Sequence, residues 1–464
     1  MTSTWFERAV RPEHVATELQ ETVPELRRGD EELRGVRMIR LRAAEPERHW
    51  TATYLLDLTR KDGSTHTIAA HGTLVPPEAE PPAAASAAGF GGDGWRLWLP
   101  GARVLLRTWA RDDALPGLTA LTDPGTAREV LERVLREGAP DRAGLRLAEV
   151  TTTVASYKPG TRATMVCDLG YPDGEQVRPG WPAAIVAKAN AGDEGRTVDA
   201  ALRALWGSPL RTSPHVAVAE PLGYVPELGL TVQGHLEHAW TLKDLLAEAF
   251  APSGGPVDPV PAVRATAVAL AAVHTSGVTE GSPHTWDEEL TSHWRKHENL
   301  SAVVPWLADL TAGALDRLRT AGAAVPPDPA VVTHGSFRTA QVLVTPEGRI
   351  GIIDFDKLRQ AEPAADIGPF LAKLRHTAVN KSGGDVPDEA TVAALDARVD
   401  QLRAEFLAAY REHAGVSPQR LAVWEGLEYL SLVLGSAKKG LQERAASCAA
   451  MLHRHLAVHD LWGR

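Results

Sequence analysis

Five polar side chains of types that bind metal ions and phosphates lie close together in the sequence, between residues 333 and 356. They are His334, Ser336, Gln341, Asp354 and Asp356. The residues between them are mostly apolar and are typical of two short strands around a turn at residues 346–348. Oxygen atoms of carboxylates and amides are the ligands that Mg²⁺ takes, usually one or two from protein and the rest from water and phosphates. The pattern therefore indicates a site that holds Mg²⁺ and the phosphates of ATP beside an acceptor hydroxyl.

Asp354 and Gln341 are the predicted metal ligands. Asp354 comes at the end of a buried strand, where a carboxylate is costly unless it is paired or bound to a metal. Gln341, on the preceding strand, supplies a second and neutral oxygen. The alternative for Asp354 is a structural carboxylate whose hydrogen bonds are satisfied by the protein.

His334 and Asp356 complete the predicted site. His334 precedes Gly335 at a tight turn, so we prefer a role in bracing the loop by hydrogen bonds over a chemical one. Asp356 is close enough in sequence to reach either the metal or the acceptor. Asp366 is expected to cap the helix that follows the site.

Basic residues in the first half of the chain are predicted to contact the nucleotide. Lys188 ends an apolar strand at residues 183–188, where it either contacts the phosphates or extends its ammonium group to solvent. A phosphate-binding lysine needs an acidic partner, for which Asp199 is preferred over Glu194, although either could be an exposed helix charge. Lys158 and Arg162 flank a hairpin turn where a loop covering the phosphates would lie. That turn lacks the several glycines of phosphate-cradling loops.

The order of predicted elements positions these residues between two lobes. Strand-like patterns dominate up to about residue 236, and helical patterns dominate beyond it. Asp123 and Ser417 are each followed by proline, which predicts a capped helix start at both places. The fold class is therefore α+β, with a cleft between a β-rich small lobe and a mainly helical large lobe. The predicted regions are a β-rich N-terminal extension or accessory domain at 1–140 with a flexible linker at about 76–94, a small lobe at 141–236, and a large lobe at 237–464.

Composition excludes several classes of protein. The 464 residues carry a net charge of −10 and no run rich in Lys or Arg, which disfavours nucleic-acid binding. The two cysteines have no metal-type spacing and make a disulfide framework implausible. No secretion signal and no apolar run of about 20 residues is evident, so a cytoplasmic protein without a membrane segment is predicted. The sequence leaves the oligomeric state open.

The combined motifs resemble the aminoglycoside phosphotransferase and choline kinase superfamily, over about residues 145–440. The segments that carry the resemblance are Lys188, residues 221–234, residues 270–274 (LAAVH), His334-Gly335-Ser336, Gln341, Ile353-Asp354-Phe355 and residues 361–367 (AEPAADI). The resemblance implies a protein-kinase-like fold, ATP and Mg²⁺ as cofactors, and acceptor selection by residues of about 280–310 and 415–460. Within the second range, Glu425, Glu428 and Tyr429 share a helical face that either meets a cationic substrate or packs inside the lobe.

Two positions depart from the pattern of the family. Gln341 stands where the family has asparagine, and it offers the same amide oxygen on a longer side chain. Ser336 stands where the family has the aspartate that serves as catalytic base. Because serine cannot accept a proton at neutral pH, and general-base help is worth about 10²–10⁴-fold, the exchange weakens phosphotransfer. Asp356 or a substrate carboxylate is a hypothetical substitute.

Three functions are therefore considered. The first is a phosphotransferase that moves the γ-phosphate of ATP to an alcohol group of a small molecule. The second is a pseudokinase that binds nucleotide or acts as a scaffold, and the third is a kinase-like protein that modifies a natural product or peptide. Lys188, Gln341 and Asp354 favour the first function, whereas Ser336 favours the second.

Overall fold

A computed structural model describes residues 5–44, 49–80, 96–108, 112, 114–158, 160–172, 178, 180–251, 257–381 and 389–459. Within these ranges the chain forms an N-terminal sheet with short helices, a second five-stranded sheet flanked by helices, and a mainly helical C-terminal part. Most of the predicted linker at 76–94 lies outside the described residues. No helix in these ranges is long and apolar enough to cross a membrane.

The N-terminal sheet is antiparallel, with the strand order β1-β2-β3-β5-β4. It and the helices before it span α1 Trp5–Val10, α2 Pro12–Thr22, α3 Pro24–Arg28, β1 Glu31–Ala44, β2 His49–Arg60, β3 Thr65–Leu74, β4 Arg96–Leu99 and β5 Val104–Thr108. Phe6, Trp50 and Leu106 lie in one buried cluster with Leu300 and Leu452 of the C-terminal helices. The N-terminal sheet and the helical lobe therefore share a core.

The second sheet, which we name the small-lobe sheet, has the antiparallel order β10-β11-β8-β7-β6. The elements of this part are α4 Pro116–Thr122, α5 Pro124–Gly138, β6 Glu149–Lys158, β7 Arg162–Gly170, β8 Ala184–Asn190, α6 Glu194–Trp206, β9 Val216–Ala217, β10 Pro221–Val225 and β11 Leu230–Gly234. Leu131 and Leu135 of α5 belong to the same buried cluster as Ile185 and Leu230 of the sheet. Helix α5 thus packs on the small-lobe sheet although it was predicted within the N-terminal region, and we propose that the small lobe begins near residue 114.

The remaining elements build the helical lobe and two small sheets. They are β12 Trp240–Thr241, α7 Leu242–Ala249, α8 Val260–His274, β13 Ser282–Pro283, α9 Trp286–Ser301, α10 Trp306–Leu310, α11 Ala314–Ala324, β14 Val331–Thr333, β15 Val342–Val344, β16 Ile350–Ile352, β17 Arg359–Ala361, α12 Ala364–Lys381, α13 Glu389–Arg411, α14 Pro418–Ala437 and α15 Gln442–Val458. The small sheets have the orders β12-β15-β16-β9 and β13-β17-β14. Phe337 stacks on Phe370 at 5.2 Å between ring centroids, and Phe370 stacks on Phe406 at 4.7 Å. This row of rings anchors the turn after β14 to α12 and α13.

The α+β class and the two-lobed arrangement predicted from the sequence are confirmed, including the extra β-rich N-terminal region. The predicted helix starts also hold. Asp123 accepts a hydrogen bond from the Thr126 amide at 2.9 Å, and the Ser417 side chain accepts one from the Arg420 amide at 3.3 Å. Each cap satisfies one of the amides that a helix leaves unpaired at its first turn.

Candidate active site

The turn after β14 brings His334, Gly335 and Ser336 to the edge of the helical lobe. Gly335 has a φ of 76°, and a Cβ at this position would collide with the carbonyl oxygen of Lys357. Both the backbone conformation and the close approach of the neighbouring chain therefore require glycine here. Ser336 follows directly, so this constraint determines where its side chain lies.

Asp366 holds this turn in place through hydrogen bonds to its backbone amides. Its carboxylate is fully buried and accepts hydrogen bonds from the amides of His334 at 2.6 Å and Gly335 at 3.0 Å. His274 Nε2 lies 3.2 Å from the same carboxylate, and His274 Nδ1 lies 2.7 Å from the Tyr410 hydroxyl. Burial would raise the pKa of Asp366, but the hydrogen bond and charge of His274 together with His334 lower it. The prediction that Asp366 caps the following helix was wrong. Asp366 lies inside the first turn of α12, and its carboxylate binds the turn after β14.

His334 is placed to brace the site. Its ring is fully buried, and Nε2 donates to the carbonyl oxygen of Ile353 at 2.8 Å. Burial lowers the pKa of His334, so the ring is neutral at pH 7 and Nδ1 is an acceptor. The Ser336 hydroxyl lies 3.4 Å from that Nδ1. The geometry agrees with the expected bracing role, since both ring nitrogens face protein atoms.

Asp354 follows β16 in a left-handed conformation with a φ of 72°. Such a conformation is unfavourable for a residue other than glycine and is commonly retained at functional sites. Its two carboxylate oxygens have separate partners: Lys188 Nζ donates to Oδ1 at 2.7 Å, and Gln341 Nε2 donates to Oδ2 at 3.0 Å. Burial would raise the pKa of Asp354, but the Lys188 charge and these hydrogen bonds lower it well below its usual range. Asp354 is therefore ionised at neutral pH.

Gln341 and Asp354 fit the oxygen-ligand set of a magnesium site. Gln341 lies in a short 3-10 turn, Thr339–Gln341, just before β15, which corrects the prediction that it lies on the strand. Its Oε1 atom is buried and has no hydrogen-bond partner. A half rotation of the amide exchanges Nε2 and Oε1 and brings this oxygen beside Asp354. Among the described residues no group of three or more His, Cys, Asp or Glu could hold a metal.

Lys188 pairs with Asp354 and Asp356, so the predicted Lys188–Asp199 pair was wrong. Lys188 is 5% exposed, and its Nζ lies 2.5 Å from Asp356 Oδ1. Asp199 accepts instead from Arg203 Nε at 2.7 Å, one turn along α6. Asp356 lies 168 residues from Lys188, and no local pattern reports a contact over that separation.

The β6–β7 hairpin turn reaches the same carboxylates. Arg162 forms an ion pair with Asp356 and lies 3.7 Å from Asp354 Oδ1. Burial and the charge of Arg162 lower the pKa of Lys158, whereas Asp354 raises it, so Lys158 also lies near the site. Burial raises the pKa of Asp356, and Lys188 and Arg162 offset part of this shift. Pro159 of this turn lies outside the described residues.

Asp112 is a supporting residue that the sequence did not indicate. Its Oδ2 atom accepts from the Tyr157 hydroxyl at 2.9 Å and from the Gly160 amide at 2.7 Å. These bonds attach the β6–β7 turn to the chain that enters α4. A single aspartate in a segment without periodicity carries no signal from which this role could have been predicted.

A family model described as "Phosphotransferase enzyme family" matches residues 181–428, more than half of the chain. None of the curated proteins compared with the chain matches it significantly.

Several solved structures are similar to the chain at low sequence identity. A thermostable mutant of aminoglycoside phosphotransferase APH(4)-Ia, in ternary complex with AMP-PNP and hygromycin B, is 17% identical with a TM-score of 0.43, over 70% of this chain and 97% of that one. Macrolide 2'-phosphotransferase type I is 18% identical with a TM-score of 0.39, over 70% and 96%. An ethanolamine kinase of Plasmodium vivax is 9% identical with a TM-score of 0.41, over 66% and 84%. These scores are below 0.5, so the family assignment rests on the family model.

Proposed function

Because this chain belongs to the phosphotransferase enzyme family, we propose that it transfers the γ-phosphoryl group of ATP, with Mg²⁺ bound, to a hydroxyl group of a small molecule. One observation carries the proposal. Lys188 and Gln341, from two separate segments, both contact the Asp354 carboxylate, Lys188 Nζ at 2.7 Å and Gln341 Nε2 at 3.0 Å. A cation for phosphates next to two oxygen ligands for a divalent ion is what phosphoryl transfer requires of a protein.

Each residue has a defined part in this reaction. Lys188 binds phosphate oxygens, and Arg162 and Lys158 approach them from the hairpin turn. Asp354 and Gln341 would hold Mg²⁺, which neutralises charge on the phosphates when it is bound. In the structure Asp354 and Asp356 neutralise Lys188. Binding of a triphosphate would therefore compete with these two internal ion pairs for Lys188.

The transfer step makes one bond and breaks one. The acceptor oxygen bonds to the γ-phosphorus, the bond from that phosphorus to the bridging oxygen of ADP breaks, and the acceptor proton passes to a base, to the product phosphate or to water. Ser336 cannot take this proton at neutral pH. Asp356 follows Asp354 by two residues, and Lys188 and Arg162 hold its carboxylate beside that of Asp354. We therefore expect slow turnover compared with a protein that has a free carboxylate at residue 336.

Turnover of ATP in the presence of hydroxylated metabolites tests the proposal. The full chain is incubated with ATP and Mg²⁺, and both ADP release and the mass gain of one phosphoryl group on the acceptor are measured. We expect at least one acceptor to be phosphorylated by the wild type, and none by Asp354→Asn. If no compound is modified although the nucleotide binds, the proposal fails.

A second candidate function is nucleotide binding without transfer. The observation that favours it is Ser336, whose hydroxyl lies near His334 and Gln341 and offers no base. A nucleotide-dependent rise in melting temperature would not separate the two functions, because both require binding. The mass of the acceptor separates them.

A further inference from the structure

A cavity of about 200 Å³ opens beside Ser336, on the helical side of the candidate active site. Gly335 and Ser336 form one wall, and the others come from α9, α12, α14 and residues 357–359. The volume is below the range of about 300–1,000 Å³ that is usual for drug-sized ligands. An acceptor whose hydroxyl points to Ser336 would occupy this cavity, and it would be small.

Basic side chains outnumber acidic ones around the cavity. The basic residues are Lys296, Lys357, Arg359 and Lys373, and the acidic ones are Glu289 and Glu428. His293 also lines the cavity, but burial lowers its pKa to about 4, so it is neutral at pH 7. The lining therefore carries a net positive charge, although the whole chain is acidic.

Both carboxylates already have cationic partners. Glu289 Oε2 lies 3.3 Å from Arg359 Nη1 and 2.7 Å from His284 Nε2, and these neighbours hold its pKa well below the usual range although burial opposes this. Glu428 Oε1 lies 2.9 Å from Lys373 Nζ. Neither carboxylate is free to receive a positively charged substrate.

Two lysines of the lining lack such partners. No carboxylate in the described part of the chain lies within ion-pair distance of Lys296 or Lys357, and the two come from different walls, α9 and the turn before β17. Partial burial lowers the pKa of Lys296, Glu289 offsets part of this shift, and the charge of Lys357 adds to the lowering. Both lysines line the same cavity and both reach solvent, so an anion in the cavity would have two ammonium groups on its lining to bind.

We propose that this cavity binds a small hydroxylated anion as the phosphoryl acceptor, with its carboxylate or phosphate group between Lys296 and Lys357 and its hydroxyl toward Ser336. This assignment rests on the function proposed above. The proposal predicts that amines and amino sugars are poor acceptors, because their positive charge would face two lysines that have no carboxylate partner. The lysines of the lining would distinguish acceptors by their charge. A neutral polyol is therefore expected to bind less tightly than its acidic counterpart.

Direct binding without nucleotide tests the cavity independently of catalysis. Glycerate and glucose 6-phosphate serve as carboxylate and phosphate probes, glycerol as the neutral probe, and ethanolamine as the cationic probe, each titrated into the full chain by calorimetry. We expect at least one acidic probe to bind at least about tenfold more tightly than glycerol, which corresponds to about 1.4 kcal/mol. Which acidic probe binds identifies the group that the lysines recognise. Equal affinity for acidic and cationic probes overturns the proposal.

Paired variants locate the binding. Lys296→Gln with Lys357→Gln is expected to abolish the preference for the acidic probe, whereas Lys243→Gln, an exposed lysine of α7 away from the cavity, leaves it unchanged. Binding of a fluorescent ATP analogue confirms that the double variant is folded and that its nucleotide site is intact. If the double variant keeps the preference, the cavity is not the site. If the acidic probe binds through these lysines but gains no phosphate from ATP, the anion site stands and the proposed phosphotransfer fails.

Discussion

Under the proposed function, Ser336 limits the rate of phosphotransfer. It occupies the end of the turn that Gly335 and Asp366 hold in place, and its hydroxyl lies 3.4 Å from both His334 Nδ1 and Gln341 Nε2. The serine therefore lies among hydrogen-bonding groups at the edge of the cavity that we propose for the acceptor, and its own hydroxyl is not a base at neutral pH. The residues that we propose for phosphate and metal binding are present, whereas residue 336 has no carboxylate to activate the proposed acceptor.

A carboxylate at residue 336 is expected to raise the rate. Ser336 faces the cavity, so Ser336→Asp has space for the larger side chain and adds a general base, a gain of up to about 10²–10⁴-fold in kcat. Ser336→Asn is the matched control, because it has the same size and cannot take the proton. Steady-state kinetics with a validated acceptor measures both variants, and an equal effect of the two would exclude a base effect.

Asp356 is expected to carry the residual activity. We predict that Asp356→Ala abolishes phosphotransfer while ATP binding persists through Lys188 and Arg162. Burial raises the pKa of Asp356, and a base must be ionised to act, so kcat of the wild type should fall with decreasing pH at a higher pH than for an ordinary carboxyl group. Single-turnover assays across pH check this dependence. Unchanged turnover in Asp356→Ala would discard the hypothesis.

At the scale of elements, two buried or half-buried aspartates position the loops of the site. Asp366 of α12 holds the turn after β14 through two backbone amides, and Asp112 holds the β6–β7 turn through one amide and Tyr157. A loop attached in this way keeps its side chains within the narrow geometry that phosphoryl transfer demands. Neither aspartate is among the residues proposed to contact the nucleotide, the metal ion or the acceptor.

Replacing Asp366 is expected to destabilise the helical lobe. Asp366→Asn keeps one acceptor oxygen and places a donor opposite the second backbone amide, which costs about 1–3 kcal/mol. The pKa of Asp366 is lower in the folded protein than its ordinary value of 3.8, so its charge stabilises the fold above that pH and the contribution is lost as pH falls below it. The difference in free energy of unfolding between wild type and variant should therefore shrink as the pH falls below 3.8. Asp309→Asn on the exposed surface of α10 is the control, and denaturant titrations at several pH values give the comparison.

Loosening the β6–β7 turn should act on nucleotide affinity. Asp112→Ala removes both bonds to the turn and frees Lys158 and Arg162 to move, so we expect ATP to bind several-fold more weakly with a small change in stability. Tyr157→Phe removes one of the two bonds and should produce a smaller loss. Titration with a fluorescent ATP analogue measures both variants, and an unaltered affinity in Asp112→Ala would show that the turn does not contact the nucleotide.

For the molecule as a whole, the N-terminal sheet supports the helical lobe. Glu7 accepts a hydrogen bond from Trp306 Nε1 at 2.9 Å, and Arg11 donates to the carbonyl oxygen of Gly440 at 2.8 Å, near the end of α14. Through these contacts and the shared apolar cluster, the N-terminal region packs near the end of α14, the helix that lines the cavity proposed for the acceptor. Removal of this region would expose apolar surface of the helical lobe.

A core variant in the N-terminal region should therefore destabilise the helical lobe. Phe6 is fully buried and packs edge-to-face on Trp50 at 5.2 Å between ring centroids. We expect Phe6→Ala to cost about 3–5 kcal/mol and to lower the unfolding midpoint reported by the helical lobe as well as by the sheet. Trp240→Ala, at a 44% exposed position, is the control. Hydrogen exchange resolved along the chain would contradict shared stability if only residues 5–108 lost protection.

Local sequence patterns were sufficient for much of this description. The caps at Asp123 and Ser417, the glycine at residue 335 and the α+β order of elements follow from hydrogen bonding, backbone sterics and periodicity over a few residues. Asp354 and Gln341 could be grouped because they are only 13 residues apart. These features depend on neighbours in the chain, so a single sequence contains them.

Tertiary packing alone decided which groups meet across long separations. The partner of Lys188 is an aspartate 168 residues away, Asp366 binds a turn 32 residues before it, and the unpaired Lys296 and Lys357 come from a helix and a turn that meet only in the folded chain. An ion pair forms where folding brings opposite charges together, and the sequence favoured Asp199, with Glu194 as the weaker candidate, because both are near Lys188 in the chain. The charge of the cavity proposed for the acceptor is likewise the sum of side chains from elements that are distant in sequence. It is positive although the net charge of the chain is negative, and only the structure shows which side chains contribute to it.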